Sequence, residues 1–170
     1  MRMAIRVVDY DPEWPSLFRQ IVGELKPILA DLTPVFHHVG STSVPGLAAK
    51  PKIDLHAAFE NADVLPEAIE RVQSLDAYTF HGDKYQQQTW TFTSGKGSYG
   101  ARLYLCTTDN AVLRDRIAFR DYLRSHPERA KAYAALKLKL MGEANGDWDY
   151  YTGGKRDFVL KTLRLAFEEG

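Results

Sequence analysis

A chain of 170 residues, 45% hydrophobic and 26% charged, has the make-up of a folded globular protein, long enough for one domain with a substantial core and short for two. Its 22 basic and 22 acidic side chains cancel, which excludes a broad basic surface for non-specific nucleic-acid binding and leaves room for a local basic cleft. The single cysteine, Cys106, excludes an internal disulfide or a cysteine zinc cluster and fits a reducing cytosol; no stretch resembles a signal peptide or reaches membrane-spanning length.

Met3 to Val8 alternates weakly and predicts a short strand. Asp11-Pro12-Glu13 then offers an N-cap acid, a proline at the first helical position and an acid in the first turn. Trp14, Leu17, Phe18, Ile21, Val22, Leu25, Ile28 and Leu29 recur at helical spacing, so this helix buries one face, with a kink or interruption predicted at Pro27. An apolar strand, Pro34 to Val39, runs into Gly40-Ser41-Thr42-Ser43; a turn at Pro45-Gly46 and a second strand, Lys52 to Phe59, follow. A helix is predicted over Val64 to Leu75. From Tyr78 to Thr107 the composition shifts to tyrosine, threonine, tryptophan and glycine, which favours strands, best defined at Gln88 to Thr93 and Ala101 to Cys106. The segment between them, Ser94 to Gly100, reads as a hairpin turn, with a flexible basic flap as the other reading. After Asp109-Asn110 three helices are predicted, one starting at Pro127 and ending at Asn145-Gly146. No repeat, low-complexity tract or linker interrupts the chain. The expectation is an α+β protein in which one domain, residues 1–170, has a mixed β-sheet with packed helices over about 1–108 and a helical tail over about 109–170.

The chemistry concentrates at Val39 to His56. Glycine admits backbone conformations closed to other residues, and amides freed at such a turn suit a phosphate. On the following strand Asp54 and His56 share one face and Ile53 and Leu55 the other. The apolar pair anchors the strand and leaves Asp54 at the head of the loop, where a hard cation bridging carboxylate and phosphate oxygens fits. The residues by themselves leave plainer readings open. Gly40, Ser41 and Ser43 make an ordinary capped turn, and Asp54 pairs with Lys50 or Lys52. His37 and His38 face opposite sides, one of them packed. Arg114, Arg116, Arg120 and Arg124 form surface ion pairs with Asp115 and Asp121, and Cys106 is a buried small apolar residue.

The stretch G-S-T-S-V-P-G-L-A-A-K-P-K-I-D-L, Gly40 to Leu55, resembles the signature of the GrpB family, an offshoot of the nucleotidyltransferase superfamily. The opening V-V-D-Y-D-P-E-W-P-S-L-F, the segment Phe119 to Lys137 and Y-Y-T-G-G-K-R-D-F-V at Tyr150 to Val159 extend the resemblance over nearly the whole chain. It implies a nucleotidyltransferase-like sheet and a loop (Gly40, Ser41, Thr42, Ser43) that seats a nucleoside triphosphate. It also implies a strand with two acids one residue apart that bind magnesium or manganese, and a third acid from a neighbouring strand. Lys50, Lys137 and Lys155 become phosphate contacts.

This chain departs from the pattern at two places. His56 stands at the second acid, where a substituted nitrogen ligand better suited to transition ions, a neutral hydrogen-bonding histidine and a relic of lost activity are the three readings, and Gly100 to Thr107 offers Arg102 and Tyr104 where the third acid belongs. Asp83 and Asp109 remain as replacement acids. Two activities follow as expectations. One is transfer of a nucleotidyl group from a nucleoside triphosphate to an unknown acceptor, with Asp54 catalytic and Asp54 and His56 on the metal. The other is a nucleotide- or phosphate-binding module with little or no turnover.

Overall fold

The computed structural model describes residues 6–95 and 100–169. Helix α1 (Trp14–Leu29) buries Trp14, Ile21, Leu25 and Leu29, the apolar spacing of an amphipathic helix. Its start lies later than predicted: the helix opens at Trp14 with Pro15 in its first turn, not Pro12. Asp11 instead organises the preceding turn, its carboxylate accepting from the Glu13 amide at 2.9 Å and its carbonyl from the Trp14 amide at 3.0 Å. The helix is continuous through Pro27. That proline sits in the last turn, so it removes one bond, to the Gly23 carbonyl, while fully buried Leu25 and Leu29 hold the chain on either side. A 3-10 turn, Ala30–Leu32, ends the segment.

Among the described residues five strands form one mixed sheet: β1 (Val35–Val39), β2 (Lys52–Phe59), β3 (Thr79–Gly82), β4 (Trp90–Ser94) and β5 (Gly100–Thr107), in the order β1-β2-β5-β4-β3. β2 and β5 run parallel at the centre, and the other pairs are antiparallel. Ile53, Leu55, Ala57 and Phe59 of β2 pack with Leu103 and Leu105 of β5 against α1 and against helix α2 (Leu65–Gln73). β3 was legible only as composition, because four residues with alternating partial exposure carry too little periodicity. β4 and β5 pair as a hairpin requires; residues 96–99 of the predicted turn lie outside the described residues. So do residues 3–5 of the predicted first strand, Met3 to Val8; Val8 itself forms an isolated antiparallel bridge with Ala49.

The other face of the sheet receives the C-terminal half. Helix α3 (Ala111–Ser125) is capped by Asn110, whose side chain accepts from the Val112 and Leu113 amides. It lays Leu113 and Ile117 on Ala58 and Cys106. Helix α4 (Pro127–Ala144) begins and ends where predicted, closing at Asn145 in the left-handed conformation. Four helices follow β5, one more than expected: a seven-residue helix α5 (Trp148–Gly154) precedes α6 (Arg156–Glu169). Two glycines at its C-terminal end hide it from propensity, yet Asp147 caps it by accepting from the Asp149 and Tyr150 amides at 3.0 and 3.2 Å. Tyr151 packs with Leu140 and Ala144 and fastens α5 to α4. No described helix is long and apolar enough to cross a membrane.

Candidate functional site

The loop after β1 is built on one glycine. Gly40 has φ +76°, where side chains are disfavoured, and a Cβ there would lie 2.6 Å from Asp54 Oδ2. The loop backbone therefore lies directly on the Asp54 carboxylate. Residues Ser41–Ser43 form a 3-10 turn, with the Ser43 amide donating to the Gly40 carbonyl at 3.1 Å and the Ser43 hydroxyl donating to the same oxygen. Thr42 donates its hydroxyl to the Lys52 carbonyl at 3.3 Å and meets His38 Nε2 at 2.9 Å. Arg124 clamps the turn from α3 by donating twice to the Ser43 carbonyl, at 2.9 and 2.7 Å. Gly40, Ser41 and Thr42 border a cavity of about 520 Å³, whereas Ser43 turns away from it toward a smaller hollow beside α1.

Strand register places Asp54 beside Arg102 and His56 beside Tyr104 on the parallel β2–β5 pair, and His37 opposite His56 across β1. Side chains in register share a face. His56 is fully buried. Arginine only donates, so the 2.9 Å contact from Arg116 Nη1 makes His56 Nε2 the acceptor, and Nδ1 then carries the proton toward Cys106 Sγ at 3.3 Å. Burial, helped by Arg116, holds this imidazole neutral, pushed down to about 2. Both ring nitrogens are thus in use inside the protein, and His56 does not line the cavity. His38 packs on Phe18 at 4.8 Å between ring centres, and burial followed by Arg124 and Arg120 pushes it down to about 4. Cys106 is buried, and burial pushes its thiol up to about 12.

The arginines of α3 correct the sequence expectation. Only Arg114 is a plain surface pair, 3.1 Å from Asp115. Arg116 reaches His56, Arg120 donates to the His38 carbonyl at 3.0 Å while pairing with Asp121 at 2.8 Å, and Arg124 holds Ser43. Positions 116, 120 and 124 fall on one helical stripe. That spacing was the available signal that the stripe faces the sheet.

The cavity itself is cationic. Lys50, Lys52 and Arg102 come from the sheet side, Arg116 from α3, Lys137 from α4, and Lys155 and Arg156 from the junction of α5 and α6, against two acids, Asp54 and Asp115. Lys137 is 2% exposed, with Nζ donating to the Ala48 carbonyl at 2.5 Å and lying 4.7 Å from the Tyr133 ring centre. Burial, then Lys155 and Lys50, push it down to about 7. Lys50 Nζ sits 4.5 Å from the Trp148 ring centre and is pushed down to about 8 by burial and then Lys155. Lys155 lies 4.4 Å from the Tyr151 ring centre, and burial lowers it too. Tyr133 hydrogen-bonds Ser41. The Tyr151 hydroxyl is buried with no partner among the described residues. Asp54 is raised by burial, against the opposing pull of Arg102, Arg116, Lys52 and Lys50.

A folded-state pKa below the unfolded one means that Lys137 sheds its proton on folding at intermediate pH. Stability from this group therefore rises with pH across the window from about 7 toward the ordinary lysine value, and its charged form costs stability below about 7. The expected result is that urea midpoints of the native chain climb from pH 7 to pH 9 more steeply than those of Lys137→Met. Parallel slopes would show that Lys137 is not desolvated.

The donor set does not fit a magnesium or manganese ion, which takes hard oxygens. Asp54 is the one carboxylate among the residues at the cavity floor, and Asp115 is engaged by Arg114. Asp83 accepts from the Gln87, Gln88 and Thr89 amides at 3.0, 2.9 and 3.3 Å, and Asp109 from Thr107 at 2.6 Å. No group of three or more histidine, cysteine or acidic side chains able to hold a metal occurs among the described residues. The pairing of Asp54 with His56 on one ion, which the resemblance implies, meets a His56 whose Nε2 lone pair is taken by Arg116.

Of the sequence-derived site residues, the fold gathers Gly40, Ser41, Thr42, Lys50, Asp54, Lys137 and Lys155 around one cavity and leaves out Ser43 and His56. Arg116, Tyr133, Tyr151 and Arg156 join them unannounced. The sequence profile of the GrpB protein family matches residues 4–164. This chain belongs to the GrpB family. Among relatives of this GrpB chain, the UPF0157 protein YqkA of Bacillus subtilis is 28% identical over 155 residues, which are 91% of this chain and 45% of that protein. The chain thus spans less than half the length of that relative. The crystal structure of GrpB from Enterococcus faecalis superimposes with a TM-score of 0.80 at 30% identity, covering 96% of this chain and 98% of that one. The Cid1 poly(U) polymerase bound to Mg 3′-dATP matches with a TM-score of 0.51 at 12% identity, over 78% of this chain and 41% of that one. At that identity the likeness concerns the fold, which is nucleotidyltransferase-like.

Proposed function

We propose that this GrpB-family chain is a binding module for a polyphosphate-bearing ligand, a nucleoside triphosphate, with little or no nucleotidyl transfer. The observation that carries the proposal is the convergence of Lys50, Lys137 and Lys155, each held down by burial, on a cavity beside the Gly40 loop, where Asp54 is the one carboxylate that acts on Lys50 and Lys155 and none acts on Lys137. Three desolvated amines side by side are unfavourable without an anion, and phosphate oxygens are the anions that a loop of backbone amides also suits. The unpartnered Tyr151 hydroxyl supplies one more donor at the same wall.

The test is a thermal-shift titration with ATP, GTP, CTP and UTP on the native chain and on Lys155→Glu. A ligand at a hundredfold excess over its Kd raises the melting temperature by about 5–10 °C for a chain of this size. The native chain is expected to respond and Lys155→Glu to respond weakly or not at all. Equal responses, or none from the native chain, would defeat the proposal.

Nucleotidyl transfer is the second reading, favoured by the fold and by the contact between the loop backbone and Asp54. It requires pyrophosphate release from a nucleoside triphosphate with magnesium or manganese, lost in Asp54→Ala. Release at a steady rate would replace the binding reading with an enzymatic one.

A further inference from the structure

We propose that Arg102 occupies the place a divalent cation would take, so that the cavity binds its polyphosphate free of metal. The inference rests on the binding function above and adds to it the group that answers the charge of the phosphate chain.

The register of the two central strands carries the argument. Asp54 pairs with Arg102 across the parallel β2–β5 ladder, so carboxylate and guanidinium leave the same face of the sheet side by side, both bordering the cavity. A positive charge is therefore already built into the protein beside the single floor carboxylate. Tyr104 steadies it through a side-chain hydrogen bond. The neighbouring Arg116 is anchored differently: Nη1 is held by His56 at 2.9 Å, and its guanidinium carbon lies 4.2 Å from the Tyr104 ring centre. Arg116 therefore supports the face, and Arg102 remains to meet the ligand.

Electrostatics then decide between metal-bound and metal-free ligand. Lys50, Lys52, Arg102 and Arg116 all act on one carboxylate, Asp54. A dication entering this field meets more positive than negative charge and a single floor carboxylate, since Asp115, the other acid on the lining, is engaged by Arg114. A free polyphosphate meets the reverse. A guanidinium offers two parallel donors to two phosphate oxygens, which no lysine does and which reproduces the bridging role of an ion. Magnesium chelated to the polyphosphate cancels part of the charge that this site recognises. The cation should therefore compete with binding.

Calorimetric titration of inorganic triphosphate into the full chain tests this, first in EDTA and then in excess magnesium or manganese. The expected result is binding in EDTA that weakens about tenfold when magnesium is added, and a loss of about tenfold or more in Arg102→Gln. Arg102→Lys should recover part of that loss, since the charge returns without the fork. In Arg102→Asp two carboxylates face each other across β2 and β5, and manganese should then strengthen triphosphate binding. Should Arg102→Asp fail to fold, Arg102→Gln and the EDTA comparison decide alone. Binding by the native chain that requires magnesium, or an Arg102→Gln chain that binds as well as the native one, overturns the inference and leaves the binding function standing. No binding in either buffer overturns both.

Discussion

Gly40→Ala is expected to lower the melting temperature by about 5–10 °C and to abolish triphosphate binding. Two costs add at this position. An alanine held at φ +76° and ψ −178°, a region essentially confined to glycine, costs about 1–2 kcal/mol, and its Cβ, built 2.6 Å from Asp54 Oδ2, forces either the loop or the carboxylate to move. Together they amount to about 2–3 kcal/mol, which at roughly 2–4 °C per kcal/mol gives the stated shift. Gly46 separates the two terms. It also has positive φ, at +81°, but nothing lies within 4 Å of a Cβ there. Gly46→Ala should therefore show the backbone cost alone and leave binding intact. If both variants melt together, the loop does not rest on Asp54.

Asp54→Asn is expected to raise stability at neutral pH and to tighten metal-free triphosphate binding about tenfold, equivalent to about 1.4 kcal/mol. The sign follows from the raised pKa of Asp54. The folded state holds the proton more firmly than the unfolded chain, so the native protein loses stability as pH rises through the folded pKa, and a residue that cannot ionise avoids that loss. An ionised Asp54 also repels the phosphate that the surrounding cations attract. Binding by the native chain should thus strengthen as pH falls toward the folded pKa of Asp54, while binding by Asp54→Asn lacks that step. Both can be followed by calorimetry from pH 5 to pH 8. The opposite outcome, in which Asp54→Asn destroys binding, would mean that the carboxylate holds the ligand through a cation, as the two-acid pattern of the resemblance implies.

These expectations reverse the weight that spacing alone placed on the site residues. Asp54 and His56 sit two apart on a strand and share a face as expected, yet only Asp54 opens to the cavity. His56 is enclosed by Cys106, Tyr104 and Arg116. Two of these partners come from a strand about 50 residues away, and the third from a helix 60 residues away in sequence. Nothing in the local pattern of β2 reports on them. Ser43 shows the same limit. As a hydroxyl in a glycine-led loop it reads as a phosphate ligand, but the 3-10 turn points it back to the Gly40 carbonyl and gives its own carbonyl to Arg124.

Periodicity and turn chemistry report which side of an element is buried and where the chain reverses, since both depend on neighbours a few residues away. The sequence by itself therefore determined the amphipathic α1, the bounds of β2, the hinge of the loop at Gly40, the start of α4 at Pro127 and its end at Asn145. It also showed Arg102 and Tyr104 standing where the resemblance implies a third acid. Tertiary structure alone decided the rest. Lys137 meets the loop across 89 residues at Ala48, Arg116 and Arg124 turn inward from a helix that reads as a charged surface, and α5 brings Tyr151 under Lys50 and Lys155. A chain of net charge zero thereby makes one cavity cationic, because charge balance is a sum over the sequence and a site is a matter of what packing brings together.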